Sequence, residues 1–85
     1  MDEVVLFKAL ADQTRLKILD CIRTGEKCIC EIIPFTEKSQ PNVSQHLKIL
    51  KHAGLICERR EGKNIFVQPY TNSIYNIINQ AKALK

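Results

Sequence analysis

The apolar residues of this chain recur mainly at helical spacing, and this pattern predicts five helices. They lie at about residues 2–10, 13–22, 28–34, 40–53 and 74–84. The fourth helix has the clearest pattern, because Val43, Leu47 and Leu50 fall on one side of it and Gly54 can end it. The apolar side of the fifth helix is wide for an outer helix of so short a chain.

Two strand-like runs, at 55–60 and 64–70, separate the fourth and fifth helices. Residues 61–63, Glu-Gly-Lys, connect the two runs, and glycine in so short a connection is typical of a β-hairpin turn. The predicted fold is therefore mainly α with a small β-hairpin (α+β), in the order α-α-α-α-β-β-α. A tight helix pair followed by a hairpin is the arrangement of a winged helix-turn-helix, here one domain over residues 1–85.

Positive charge is concentrated in the second half of the chain, and the formal net charge is +4. Five basic residues fall within sixteen positions, namely Lys48, Lys51, Arg59, Arg60 and Lys63. This distribution favours a polyanionic partner. No apolar run reaches the roughly 20 residues of a membrane span, and the acidic start of the chain disfavours a secretory signal. We expect a cytoplasmic protein with no membrane partner and with reduced cysteines.

The polar side of the fourth predicted helix carries the first candidate chemistry. Gln45, Lys48 and His52 lie opposite its apolar side, and Asn42 and Ser44 lie near its start. Amide side chains can make paired hydrogen bonds to adenine edges, and Ser and Lys suit phosphates or bases. A merely solvated helix surface would look similar, but the neighbouring basic hairpin favours binding to double-stranded DNA.

Three segments resemble one known family, the ArsR/SmtB repressors. Residues 39–56 read SQPNVSQHLKILKHAGLI, which is similar to the recognition-helix signature of that family at every fixed position. Residues 7–19 read FKALADQTRLKIL and residues 59–63 read RREGK, which resemble its L-A-[DS]-x-T-R-L-x-I-L segment and its wing tip. The resemblance implies a repressor that binds an inverted-repeat operator as a homodimer.

The resemblance and the polar side of the helix together identify candidate DNA contacts. They are Gln40, Asn42, Ser44, Gln45, His46, Lys48, Arg59, Arg60 and Lys63. For His46 a second interpretation is open, in which the ring is half-buried and braces the helix. In this family the first and last helices pair across a two-fold axis, which implies an interface that includes Val5, Leu6, Ile74, Ile77, Ile78 and Ala81.

Cys28 and Cys30 are candidate metal ligands. Residues 26–32 read EKCICEI, which resembles the E-L-C-V-C-D-L segment of thiolate sensors in the family. Thiolates select soft ions, so the candidate effectors are As(III), Sb(III), Cd(II), Cu(I) and Zn(II). Residues i and i+2 point about 200° apart on a regular helix, so both sulfurs could reach one ion only if this turn were extended. Thiol oxidation of the same residues is an alternative.

The pattern for metal sensing is incomplete. The arsenic sensors of the best-known type have a third cysteine at the position that Ile33 occupies here. A third thiolate would have to be Cys21, which falls on an apolar helix side, or Cys57, which falls in the first hairpin strand and far from the other two. No cofactor is therefore required by the sequence, and repression without an effector stays open.

Other functional classes have less support. The sequence has no Gly-rich phosphate loop and no nucleophile–base pair with recognisable spacing, so we do not expect an enzyme. A winged helix can also serve as a protein–protein interaction module without an operator, and the same fold can carry an activator or a chromatin-associated regulator. The basic hairpin and the polar side of the fourth helix favour DNA.

Overall fold

The computed structural model describes residues 2–84, which form five helices and a small sheet. The helices are α1 (Glu3–Leu10), α2 (Gln13–Cys21), α3 (Ile29–Thr36), α4 (Gln40–His52) and α5 (Ser73–Ala83). The strands are β1 (Lys27–Cys28), β2 (Ile56–Glu61) and β3 (Asn64–Pro69). The α+β class and the predicted hairpin are confirmed. Residues 1 and 85 of the predicted domain lie outside the described part.

The sheet has one strand more than the hairpin pattern predicts. Its order is β1-β3-β2, all antiparallel, with Cys28 opposite Phe66 on one side of β3 and Arg59 opposite Phe66 on the other. A strand of two residues is too short to show an alternating pattern, so only pairing with β3 reveals it. This pairing also corrects the start of the third helix, which is Ile29 rather than Cys28.

Side-chain caps lie at the starts of α1, α2, α3 and α4, and those of α2 and α4 are the two that the sequence predicts. Asp12 Oδ1 accepts a hydrogen bond from the backbone N–H of Arg15 (3.0 Å), and Ser39 Oγ accepts one from that of Asn42 (3.3 Å). These oxygens satisfy amides that have no partner inside the helix. Pro41 follows in the first turn of α4, where a missing N–H costs nothing. Both caps agree with the sequence prediction.

The core lies between α2, α3, α4 and the sheet. Its fully buried side chains include Ile18, Leu19, Ile22, Ile32, Val43, Leu47, Leu50 and Val67. Tyr75 attaches α5 to this core, because its hydroxyl donates a hydrogen bond to the carbonyl oxygen of Leu19 (2.5 Å). Burial raises the pKa of Tyr75 to about 12.

The burial of Ile74 corrects the expected subunit interface. Its side chain is only 3% exposed and packs in the core of its own chain. The wide apolar side of the fifth helix therefore has two parts, and its first turn serves the domain core. No helix in residues 2–84 is long and apolar enough to span a bilayer.

Candidate nucleic-acid interface and dithiol site

The exposed side of α4 carries most of the predicted DNA contacts. Its side chains at Gln40, Asn42, Ser44, Gln45 and Lys48 are exposed. The helix can present them because Val43, Leu47 and Leu50, at the intervening positions, anchor it to the core. The surface is therefore a rigid helix with polar groups, which is what reading of a DNA groove requires.

His46 differs from these residues because its side chain turns toward α2. The side chain is 17% exposed, and its Nδ1 lies 3.1 Å from Arg15 Nη1 and 3.8 Å from Asp12 Oδ1. The backbone N–H of Arg15, with the nearby charges of His46 and Arg15, lowers the pKa of Asp12 although partial burial opposes this. Of the two interpretations of His46, the contacts correspond to the brace between α4 and α2.

Arg15 connects three helices. Its Nε donates a hydrogen bond to the carbonyl oxygen of Ala9 (2.6 Å), and its Nη2 donates one to that of Lys8 (3.1 Å). These carbonyls belong to the last turn of α1, and that of Lys8 also accepts a hydrogen bond from the backbone N–H of Ala11 (3.2 Å). Together with the contact to His46, they hold the end of α1 against α2 and α4.

The hairpin of β2 and β3 forms the wing of the domain. Gly62 has φ +61° in its turn, a left-handed conformation that glycine adopts without strain. Arg60 and Lys63 are exposed, and neither takes part in an ion pair within residues 2–84. Both cations are therefore free to meet a polyanion.

Arg59, by contrast, is held by acidic neighbours. Its guanidinium makes two hydrogen bonds to Glu26 (2.7 and 3.1 Å), a third to Glu61, and lies 4.7 Å from the centre of the Phe66 ring. The bonds to Glu26 and Glu61 raise the pKa of Arg59, and the bond to Arg59 lowers the pKa of Glu26. In this structure the guanidinium of Arg59 ties the wing to the segment before β1, and its contact with DNA stays a prediction.

Cys28 and Cys30 are joined in a disulfide, with Cα atoms 5.1 Å apart. This differs from the expectation of reduced thiols at these two positions. On a regular helix the two side chains would point about 200° apart. That separation does not apply here, because Cys28 precedes the helix. Its backbone is extended (φ −68°, ψ 146°), its Sγ accepts a hydrogen bond from the Cys30 N–H (3.2 Å), and its own N–H donates to Glu31 Oε1 (3.0 Å). Cys28 is thus the N-cap of α3.

The dithiol pair of Cys28 and Cys30 borders both of the elements that carry DNA contacts. Cys28 is buried and Cys30 is exposed, and both line a cavity of about 240 Å³. The same cavity is lined by Gln40, the first residue of α4, by Lys63 of the wing turn, and by Asn64, the first residue of β3. A group bound to these sulfurs would therefore touch the start of α4 and the wing together.

The remaining cysteines do not complete a metal site with this pair. Cys21 is buried, and burial raises the pKa of its thiol. Cys57 lies two strands and two register positions from Cys28, which is about 12 Å at ordinary strand spacings. Residues 2–84 contain no group of three or more His, Cys, Asp or Glu side chains placed to hold a metal ion.

Apolar grooves lie on both sides of α1, one between α1 and α5 and one between α1 and α4. The α1–α5 groove, about 320 Å³, is lined by Phe7, Leu10, Leu16, Ile77, Ile78 and Ala81 among others. It contains three of the residues expected at a subunit interface. Val5, also expected there, lies on the other side of α1 and faces α4, because two residues turn a helix by about 200°. Phe7 lines the α1–α5 groove, and Leu6 is half-buried beside the core.

Comparison with protein families identifies the central part of the chain. The family model described as "Bacterial regulatory protein, arsR family" matches residues 12–57, which is more than half of the chain. The matched segment begins at the N-cap of α2, includes the dithiol pair and all of α4, and ends in β2.

Individual relatives agree with the family model. The chain is 43% identical over 61 residues to the "Arsenical resistance operon repressor" of Escherichia coli (71% of this chain, 52% of that protein). It is 38% identical over 74 residues to the "Transcriptional repressor SdpR" of Bacillus subtilis (87% of this chain, 82% of that protein). The chain thus spans about half the length of the first of these relatives.

A solved structure has the same fold over nearly the whole chain. It is a solution structure described as the homodimeric winged helix-turn-helix DNA-binding domain Mb0332 from Mycobacterium bovis. It matches with a TM-score of 0.86 and 28% sequence identity, covering 96% of this chain and 76% of that chain. The predicted winged helix-turn-helix fold is therefore confirmed.

Proposed function

Because this chain belongs to the arsR family of bacterial regulatory proteins, we propose that it is a transcriptional repressor that binds double-stranded DNA as a homodimer. The observation that carries this proposal is that one domain has both an exposed polar side on α4 and a basic wing. In the wing, Arg60 and Lys63 have no acidic partner in the described residues. A polar helix without neighbouring cations would fit a protein interface equally well.

In this proposal the two elements have different tasks. The Gln45 amide is exposed in the middle of α4 and suits a paired contact to an adenine edge in the major groove. Arg60 and Lys63 contact phosphates, which orient the domain but carry no sequence information. Two subunits joined through their α1–α5 grooves would place two copies of α4 on half-sites about one turn, roughly 34–36 Å, apart.

We expect Gln45→Ala to weaken binding to a preferred duplex by about 1–3 kcal/mol and to leave the fold unchanged. The duplex is first selected from a random-sequence pool, and binding is then measured by fluorescence anisotropy at several salt concentrations. Arg60→Ala should weaken binding to selected and random duplexes alike and make the salt dependence less steep.

Lys17→Ala is the matched control for Arg60→Ala. It removes one positive charge from an exposed position of α2, outside α4 and the wing, and should leave the salt slope unchanged. Unchanged affinity of folded Gln45→Ala protein would contradict the assignment of α4 to the groove. A selection that enriches no sequence, together with salt-independent weak binding, would favour the protein–protein interaction module instead.

We further propose that the dithiol pair regulates this binding. The two sulfurs lie together at the start of α3. When reduced, two thiolates suit a soft ion. As(III) is the first ion to test, because the Escherichia coli relative is an arsenical resistance operon repressor. Such an ion would link two thiolates, and the bulk it adds beside Gln40 and Lys63 would displace α4 or the wing. The disulfide is the alternative, oxidised state of the same residues.

The reduced protein should develop a sulfur-to-metal absorbance band when titrated with As(III), Cd(II) or Zn(II) without oxygen, and Cys28→Ser should abolish it. Ion binding needs deprotonated thiolates, so the disulfide form should show no band until it is reduced. Cys57→Ser is the matched control and should keep the band. If no ion produces a band in the reduced protein, metal regulation is wrong, and a redox-responsive or effector-independent repressor remains.

A further inference from the structure

The α1–α4 groove has an apolar floor in direct contact with the proposed recognition helix. It is formed by Val5 and Ala9 of α1 and by Ile49 and Ala53 at the end of α4. Its volume is about 440 Å³, within the range of roughly 300–1,000 Å³ that small-molecule sites occupy. Val5 and Ile49 are 41% and 43% exposed, so two branched apolar side chains face solvent here without a partner.

The rim of this groove is positively charged. Lys8, Lys48 and His52 line it, and no acidic residue does. Within residues 2–84, neither lysine takes part in an ion pair. A fourth basic residue, Arg15, also borders the groove, but its guanidinium is engaged by the carbonyl oxygens at the end of α1. The groove therefore combines an apolar floor with two uncompensated lysines.

We propose that the α1–α4 groove binds a small amphipathic anion, a carboxylate on an apolar chain or ring. The apolar body would cover Val5 and Ile49, and the carboxylate would lie between Lys8 and Lys48. A second copy of the chain fits this charge pattern less well. Of the two helices expected to pair between subunits, α5 contains no acidic residue and carries Lys82, and the single acidic residue of α1, Glu3, is offset by Lys8.

The position of Lys48 gives this site a regulatory consequence. Lys48 borders the groove and also lies on the exposed side of α4 that we assign to DNA. A carboxylate held by Lys48 would compete with a DNA phosphate for the same ammonium group, so the bound anion should lower DNA affinity. This consequence rests on the proposed function, whereas binding of the anion itself does not.

The test uses octanoate as the probe and methyl NMR spectra of the whole chain as the readout. Octanoate should produce saturable shifts of the Val5, Ala9, Ile49 and Ala53 methyl groups. Its neutral analogue 1-octanol should bind about tenfold more weakly, because it cannot pair with the lysines. Equal affinity for the two probes, or shifts confined to the α1–α5 groove, would overturn the proposal.

Two variants of α1 provide a matched comparison. Val5→Glu places a carboxylate in the groove and should weaken octanoate binding about tenfold or more. Val4→Glu makes the same change in charge at the adjacent position, which is 55% exposed and outside the groove, and should bind octanoate as the unmodified chain does. Equal losses in both variants would overturn the proposal, as would a Val5→Glu protein that binds octanoate normally but no longer dimerises in sedimentation experiments.

A DNA measurement separates this inference from the proposed function. In the unmodified chain, saturating octanoate should lower affinity for the selected duplex, and in Val5→Glu it should not. If the chain binds no DNA while octanoate still shifts the groove methyls, the proposed function fails and the binding site stands. If octanoate binds in the groove and DNA affinity is unchanged, the competition at Lys48 is wrong.

Discussion

Leu47→Ala is expected to lower the free energy of unfolding by about 2–5 kcal/mol. Leu47 is 2% exposed, and it lies on the side of α4 that faces the core, so truncation leaves a cavity that this short helix cannot easily close. Each kcal/mol lowers the Tm of a domain of this size by roughly 4–8 °C. We therefore expect a fall in Tm of at least about 8 °C, measured by circular dichroism, with a matching shift of the urea midpoint.

Lys48→Ala, at the next position of the same helix, is the control for this prediction. Its side chain is exposed, so its unfolding free energy should change by no more than about 0.5 kcal/mol. DNA affinity should nevertheless fall, because a cation on the exposed side of α4 is lost. If Leu47→Ala keeps its stability, or if Lys48→Ala loses stability as Leu47→Ala does, the orientation of α4 described here is wrong.

Arg15→Lys, which keeps the charge but at most one of the two hydrogen bonds to α1, should lower the free energy of unfolding by about 1.5–3 kcal/mol. Hydrogen bonds that involve a charged group contribute roughly 1.5–3 kcal/mol, and Arg15 makes two to the carbonyls of Lys8 and Ala9 with a side chain only 13% exposed. A lysine ammonium lacks the planar fork that reaches both carbonyls and His46. Unfolding in urea measures the loss.

Hydrogen exchange locates the effect of Arg15→Lys. Amides of α1 should exchange faster than in the unmodified chain, while those of α3 keep their protection relative to global unfolding. Arg60→Lys is the matched control, since its exposed side chain has no ion-pair partner in residues 2–84 and its replacement should change stability little. Uniform acceleration across all helices, or no change in α1, would contradict the role given to Arg15.

Several local features of this protein follow from the sequence. The spacing of Val43, Leu47 and Leu50 predicts the buried side of α4, and burial at those positions agrees with it. Asp12 and Ser39 predict helix starts, and both side chains make the expected capping bonds. These features depend on neighbours within four residues, so a single sequence contains the information that determines them.

The sequence does not show which basic side chains are paired with acidic ones and which are not. Arg59 and Arg60 are adjacent and chemically identical, but strand alternation turns them to opposite faces of the wing. Arg59 meets Glu26, 33 positions away, whereas Arg60 has no acidic partner in the part of the chain that the structure describes. Likewise His46 lies on α4 among predicted DNA contacts, and its contact with Arg15, 31 positions away, turns it inward.

What the sequence by itself determined is therefore the order of helices and the hairpin, the caps of α2 and α4, and the residue types available on α4 and the wing. The tertiary structure decided which of those residues are free to bind. It placed Cys28 on a two-residue strand ahead of α3, beside Cys30, because β1 pairs with β3 rather than extending the helix. It also buried some residues of α1 and α5 in the core and left others lining exposed grooves. Such choices depend on contacts between residues far apart in the chain, which no local spacing encodes.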